Sequence, residues 1–366
     1  MAELRRDLDR IQTSITNRLD PSAARHPWFA GVVGETPSQY SKSPVMWNTA
    51  FSLVGLDAIY LPFDVPTYRL KDLAAAFKDT EHLLGVNVTV PHKIEIMNHL
   101  DEVDSGAARI GAVNTIRRGR NGRLIGSNTD GEGFLESILT AQPGAGSTFL
   151  ESLDGLTVIL LGAGGSARAV AFHIGEQLGG GRLLICNRTP EIARSLAADL
   201  SRHGISCDVI GEEDLETCAS RSDLIVNTTT KGQGGTQTGP DGRLFSMEPY
   251  SALAPAPSAP AEVSKSEIVD TPLPQDVLEN QTASLAIASS IPQKVCFYDL
   301  IYFPEQTVFL RHAKMTGHRT QNGKGMIVCQ AAIAFCKHLC AEQIRSRGLD
   351  ERKAYSGVRA AMYGAW

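Results

Sequence analysis

The chain lacks a long apolar run, an excess of positive charge and any pattern of paired cysteines. No stretch approaches the roughly 20 consecutive apolar residues of a membrane-crossing helix, so no membrane partner is expected. Lys and Arg total 35 against 40 Asp and Glu, a formal net charge of −5 with a pI near 6.0. That balance leaves no electrostatic footprint for nucleic acid. The seven cysteines, at 186, 207, 218, 296, 329, 336 and 340, are odd in number, and none forms a Cys-x-x-Cys pair. Cys336, His338 and Cys340 offer ligand types for zinc, but that spacing diverges around a helix, and no metal is expected. The opening residues Met1 to Leu8 include acidic side chains and no apolar core of a leader, so neither a signal peptide nor a transit peptide is expected. Buried thiols in a reducing cytoplasm are the setting these absences imply.

What is present is enough apolar material for two cores: 366 residues, 42% of them hydrophobic. Residues 1–27 form a helical extension, with Leu4, Leu8, Ile11, Ile15 and Leu19 at helical spacing. Packing on the same chain is the plain reading of that stripe, and a short dimer contact the sharper one; a monomer or a homodimer is expected. From Trp28 the pattern alternates. Strands are expected at 29–33, 58–65 and 84–90, and helices at 44–54, 70–77 and from Pro91 onward. A hairpin turns at Gly119-Arg120-Asn121-Gly122, and a helix runs from Gly131. Residues 142–147, rich in Gly and Pro, suit a linker. A second series places strands at 157–161, 182–186, 207–210, 224–227 and 294–300, a doubly wound parallel sheet. Residues 251–290 contain Pro255, Pro257 and Pro260 and little apolar periodicity. They are expected to form a mobile insertion, with a packed helix carrying Val277, Leu278, Leu285 and Ile287 as the competing possibility. The division is therefore 1–27, then 28–134 with 311–366, then 135–310.

Thr157 to Leu161 runs into Gly162-Ala163-Gly164-Gly165-Ser166-Ala167, an apolar strand feeding a glycine turn that opens an apolar helix. In that context the glycines allow a tight turn and let backbone N–H groups approach a pyrophosphate, and Ala167 lets helix and strand pack closely. A plain structural bend is the alternative. The next strand ends in Asn187-Arg188-Thr189 with no carboxylate. A carboxylate there would bond a ribose 2′-hydroxyl; Arg188 instead suits a 2′-phosphate, with Arg168 a possible second positive charge. NADP is expected, with NAD the alternative. On the other half, Asn87-Val88-Thr89-Val90-Pro91-His92-Lys93 places a lysine past one strand, and Asn128-Thr129-Asp130 an aspartate past another. A lysine and a carboxylate can manage a proton while a cofactor manages a hydride. Ser41-Lys42-Ser43-Pro44 offers hydroxyls and helix-start N–H groups to a carboxylate, although alone it reads as a helix cap.

These segments, with Gly111 to Thr115, Tyr298-Asp299-Leu300-Ile301-Tyr302, and Gly323-Lys324-Gly325-Met326 with Gln330, resemble the shikimate dehydrogenase family in content and order. The resemblance implies an α/β enzyme of two domains. One is a Rossmann-type NADP-binding domain; the other is an α/β substrate domain that takes in the C-terminal helices. It implies NADPH-dependent reduction of 3-dehydroshikimate to shikimate. By the same resemblance Lys93 and Asp130 form the catalytic pair. Ser41, Ser43, Asn87, Thr89, Asn114, Tyr302 and Gln330 hold the small-molecule substrate. Gly162, Ala163, Gly164, Gly165, Ser166, Arg168, Asn187, Arg188, Thr189, Leu300 and Gly323 touch the cofactor. Two positions depart from the family pattern: Ile192 stands where a basic residue is usual, and Lys231 where a small or apolar one is. The nearest alternative is a quinate or dual quinate/shikimate dehydrogenase using NAD. A non-catalytic metabolite sensor is a remote one, disfavoured because Lys93 and Asp130 are both kept.

Overall fold

The computed structural model describes residues 2–235, 237–238, 244–256 and 273–366. The chain divides into two compact units, Met1–Thr148 with Gly325–Trp366, and Phe149–Lys324.

In the first unit six strands form one sheet: β1 (Trp28–Gly34), β2 (Ala58–Asp64), β3 (Leu83–Val88), β4 (Glu102–Val103), β5 (Thr115–Arg118) and β6 (Leu124–Ser127), in the order β2-β1-β3-β5-β6-β4. β1 runs parallel to β2 and β3, while β5 is antiparallel to both β3 and β6. Every residue of β3 is buried, as expected for a strand covered on both faces. One face packs Phe29, Val33, Phe63, Phe77 and Val86 together with Leu4, Leu8 and Ile11 of the first helix. The apolar stripe of residues 1–27 thus joins the core of this unit and is not a separate extension. The other face buries Trp47, Tyr60 and Phe335, with Trp47 stacked on Tyr60 at 4.8 Å. Helix Asp130–Leu139 presents Gly133 where a Cβ would come within 2.6 Å of the Gln330 backbone nitrogen, so it lies close against helix Lys324–Ile333.

The second unit holds six parallel strands: β7 (Thr157–Leu161), β8 (Arg182–Cys186), β9 (Asp208–Ile210) and β10 (Leu224–Asn227), then, beyond a short antiparallel ladder of β11 (Gln237–Thr238) and β12 (Leu244–Phe245), β13 (Cys296–Asp299) and β14 (Thr320–Gln321). The sheet order is β14-β13-β10-β7-β8-β9. Ile159, Leu184, Ile225 and Phe297 pack in one core with Phe309 and Leu310.

Three expectations are corrected. The unit boundaries fall at 148/149 and 324/325, not at 134/135 and 310/311. Helix Val308–Met315 packs on the second core, and β14 adds a strand to the second sheet. Residues 251–290 are not a structureless insertion: Gln275–Ser290 is a helix that buries Val277, Asn280, Ser284 and Ala288, and Ser251 to Ala254 are buried. Residues 257–272 of that call lie outside the described residues. Third, no α-helix starts at Pro91. The Lys93 carbonyl accepts from Val113 N at 2.7 Å, so it is taken out of a helical ladder; turns lead into a short 3-10 helix, Glu95–His99.

Candidate active site

On the first unit, three strand ends converge. Asn87, one residue before the end of β3, lies opposite Thr115 at the start of β5, and Thr115 lies opposite Ser127 at the end of β6. Asn114 continues the ladder, its carbonyl accepting from Val88 N at 2.7 Å and its N–H donating to Ser127 at 3.1 Å. Sheet pairing alone therefore brings together side chains that lie tens of residues apart in the chain.

Lys93 Nζ donates to Asp130 Oδ2 at 2.5 Å, with side chains only 11% and 4% exposed. The lysine is held by its turn. His92 next to it is buried and donates Nε2–H to the Val65 carbonyl at 2.7 Å, and burial pushes that imidazole below its usual pKa, so it stays neutral. Asp130 is the first residue of its helix, after Thr129 at the cap position. It therefore does not cap the helix, although its N–H is bonded by Asn128 Oδ1 at 3.0 Å. A carboxylate at the first turn is favoured by the helix dipole.

Asn114 is the hub. Its amide nitrogen reaches Asp130 Oδ1 at 2.8 Å, Thr129 Oγ1 at 3.0 Å and Gln330 Oε1 at 3.2 Å. Two protons shared among three acceptors leave acceptor capacity over. Its Oδ1 accepts from Thr129 N at 2.9 Å and Thr115 Oγ1 at 2.9 Å. Asn87 extends the network, donating to Thr115 Oγ1 at 3.2 Å and accepting from the Tyr60 hydroxyl at 2.7 Å. All of Asn87, Asn114, Thr129, Asp130 and Gln330 are buried. The expected residues Lys93, Asp130, Asn87, Asn114 and Gln330 are thus one connected cluster. Thr115 and Thr129, from the Gly111 to Thr115 and Asn128-Thr129-Asp130 segments, belong to it as well; Tyr60 is the member to which the sequence does not point, since a tyrosine inside an apolar strand carries no polar signature of its own.

Ser41 and Ser43 lie beyond the end of β1, where Ser43 N donates to Ser41 Oγ at 3.2 Å. Thr89 follows β3, and its hydroxyl is bonded to Tyr40, whose own pKa burial pushes up to about 12. Pairing of β1 with β3 puts these hydroxyls at the same end of the sheet as Asn87. Tyr302 is carried on the second unit.

On the second unit the glycine turn follows β7. Gly162 has φ +109, and a Cβ there would meet Thr228 Oγ1 at 2.6 Å. Helix Gly165–Gln177 starts after Gly164 with no side-chain cap, and a Cβ on Gly164 would meet nothing within 4 Å. An uncapped helix start facing open space is what a pyrophosphate requires; Gly162, Ala163, Gly164, Gly165 and Ser166 fit it. β8 leads into Asn187, whose amide closes on Thr189 O at 2.8 Å, with Arg188 exposed beside it. Leu300 N donates to Asn227 O at 2.9 Å and Gly323 N to Ile301 O at 3.0 Å, so Leu300 and Gly323 edge the same sheet end. Arg168, expected as a second positive charge, is 13% exposed and has its guanidinium paired with Asp199; burial works to raise that carboxyl, but Arg168 and Arg202 prevail and hold it below its usual pKa. Among the described residues no three His, Cys, Asp or Glu side chains are arranged to hold a metal, and no helix is long and apolar enough to cross a membrane.

Residues 32–116 match the family model described as the shikimate dehydrogenase substrate binding domain, and residues 145–234 that of shikimate / quinate 5-dehydrogenase. The chain is 37% identical over 319 residues to a shikimate dehydrogenase (NADP(+)) of Symbiobacterium thermophilum, covering 86% of this chain and 90% of that one. It is 37% identical over 306 residues to the corresponding protein of Moorella thermoacetica, covering 82% and 84%. Among solved structures, shikimate 5-dehydrogenase of Thermus thermophilus in complex with NADP(H) and shikimate aligns with a TM-score of 0.57 at 30% identity, over 91% of this chain and 99% of that one.

Proposed function

The chain belongs to the shikimate dehydrogenase family, and from that premise we propose that it reduces 3-dehydroshikimate reversibly to shikimate with NADPH, a step of aromatic amino-acid biosynthesis. The observation that carries the reading is the buried Lys93–Asp130 pair, locked by Asn114. When bound, NADPH supplies the hydride. Lys93, as ammonium, donates a hydrogen bond to the substrate carbonyl oxygen and passes it a proton as alkoxide charge develops. Asp130 aims Lys93, and its second oxygen is fixed by Asn114. In the reverse direction the same lysine, neutral, takes the hydroxyl proton. Asn87, Thr89 and Gln330 offer amide and hydroxyl groups to the ring hydroxyls, Ser41 and Ser43 bind the carboxylate, and Tyr302 completes the substrate contacts. Gly162 to Ser166 take the pyrophosphate, Arg188 with Asn187 and Thr189 the adenosine end, and Leu300 and Gly323 border the nicotinamide end. Seven unpaired thiols suit a cytoplasmic setting.

A second reading, quinate oxidation with NAD, has one observation in its favour. Ile192, half exposed, occupies a position near Arg188 where a further basic residue would strengthen phosphate binding. Assay of the purified protein with shikimate and with quinate, each with NADP and NAD, decides between them. The expected result is the highest kcat/KM for shikimate with NADP; a higher value for quinate with NAD would replace the first reading by the second.

A further inference from the structure

Lys231 is an unexpected charge in the second unit. It lies in the loop after β10 and is 8% exposed. Its Nζ donates to the Ala254 carbonyl at 3.1 Å and to Glu212 Oε1 at 3.4 Å. The loop itself is fixed. Lys231 N donates to Thr229 Oγ1 at 3.1 Å, its carbonyl accepts from Asn227 Nδ2 at 3.2 Å, and Gly232 N donates to Met247 O at 2.7 Å. Ala254 belongs to the segment outside the family resemblance. Asn280, on helix Gln275–Ser290, holds that segment by donating to Ser251 O, Ala254 O and Pro255 O at 3.1, 3.1 and 2.8 Å. The lysine, a departure from the family pattern, and the 251–290 segment therefore meet at one carbonyl.

The other partner gives the lysine a functional consequence. Glu212 follows β9, which pairs with β8 up to Cys186↔Ile210. Its carboxylate thus stands one strand away from the Asn187-Arg188-Thr189 end that faces the cofactor. Burial lowers the Lys231 pKa, Glu212 raises it again, and the Arg188 charge lowers it further, so the three groups lie within each other's field. Glu212 is not itself at the end of the second strand, where a carboxylate selects against a 2′-phosphate, but it stands just past the end of the neighbouring strand, where its negative charge would repel one by the same electrostatics.

We propose that Lys231 is a positioning residue for cofactor choice: by pairing with Glu212 it removes a carboxylate's repulsion from the 2′-phosphate subsite at Arg188. This rests on the NADP reading above. It explains how a chain with Ile192 in place of a base, and with Arg168 committed to Asp199, keeps a subsite that accepts a dianion: the local charge is corrected from the β9 side.

The test is calorimetric titration of NADP+ and of NAD+ into the wild type, Lys231→Met, Glu212→Gln, the double variant and Lys231→Arg, each with its melting temperature. Lys231→Met is expected to weaken NADP+ about ten-fold, the scale of one charge-assisted contact, with NAD+ changed much less. The double variant is expected to recover most of the loss, and Lys231→Arg to bind both cofactors as the wild type does. An equal loss for both cofactors in Lys231→Met, or no recovery in the double variant, overturns the proposal. Should Lys231→Met not fold, Glu212→Gln decides alone. It should bind NADP+ as tightly as the wild type or tighter, and weaker NADP+ binding refutes the inference. A wild type that prefers NAD+ would instead refute the NADP reading itself.

Discussion

The two units make their sites by different means. The first builds with side chains: Lys93, Asp130, Asn114, Thr115, Thr129, Gln330, Asn87 and Tyr60 bond one another in a buried network. The second builds mainly with backbone: a positive-φ glycine, an uncapped helix start and strand ends, with Arg188 exposed at the margin. A side-chain network is costly to leave half satisfied, so each member of the first site should matter to folding and chemistry together. A backbone cradle loses little when one flanking side chain goes, so changes in the second should appear as cofactor affinity with the fold intact.

The largest effect that would break this contrast is at Lys93. Lys93→Met removes the proton donor and leaves Asp130 buried without its cation. The expected loss in kcat is at least about 10²–10⁴-fold, the usual worth of general acid–base catalysis. Removing one partner of a buried pair also costs roughly 3–5 kcal/mol of stability, so melting temperature and shikimate binding must be measured beside turnover. Near-wild-type kcat in a folded variant would show that the lysine is structural. Next comes Asn114→Ala, which strips a donor from each of Asp130, Gln330 and Thr129. A loss of roughly 1–3 kcal/mol in stability is expected for the unsatisfied groups, together with a fall in kcat because Asp130 loses its anchor. A drop in melting temperature with kcat intact would separate the hub from the chemistry.

How much of this was visible in the sequence follows from the same contrast. Strand–turn–helix patterns and the lysine and aspartate past strand ends are local, so both sheets, the glycine turn and the pairing candidates Lys93 and Asp130 are legible, and strand limits such as 157–161, 182–186 and 224–227 agree with the structure. Tyr60 is not, because its bond to Asn87 depends on how the strands of this sheet are placed beside one another. Helix Gln275–Ser290 was misread as part of a structureless insertion because its buried face is Val277, Asn280, Ser284 and Ala288. Ser284 is satisfied by Ser251 Oγ at 2.7 Å and bonded to His312 at 2.9 Å; apolar periodicity does not register a face whose burial is made possible by polar partners. The ion pair of Arg168 is not legible either, because Asp199, its partner, lies on the following helix, 31 residues on.

A smaller effect sharpens the second half of the comparison. Arg188→Ala should raise KM for NADP by about ten- to a hundred-fold, since a charge-assisted hydrogen bond is worth roughly 1.5–3 kcal/mol, with KM for NAD and melting temperature nearly unchanged. Equal losses with both cofactors would put Arg188 on the adenine face.

The smallest effect concerns Asp299, where the backbone-built unit contains one side-chain network of its own. Asp299 is fully buried at the end of β13 and accepts from Thr307 Oγ1 at 2.6 Å, Asn227 Nδ2 at 3.0 Å and Ile301 N at 3.0 Å. Burial pushes its carboxyl up to about 7, against these three donors, which pull it down. The unfolded chain would titrate near the ordinary aspartate value of 3.8, so between about pH 4 and pH 7 the folded state holds the extra proton. The resulting stability is full below the unfolded pKa and is lost as pH rises through the folded one. Asp299→Asn cannot ionise. The melting temperature of the variant relative to the wild type should therefore climb from pH 5 to pH 8, while at pH 5 the wild type keeps its advantage. A difference that stays flat across that range would mean that the three donors outweigh burial and that Asp299 is ionised throughout. In that case even this unit would hold one ionised side chain fixed by a buried network, and the contrast between the two building methods would be one of degree.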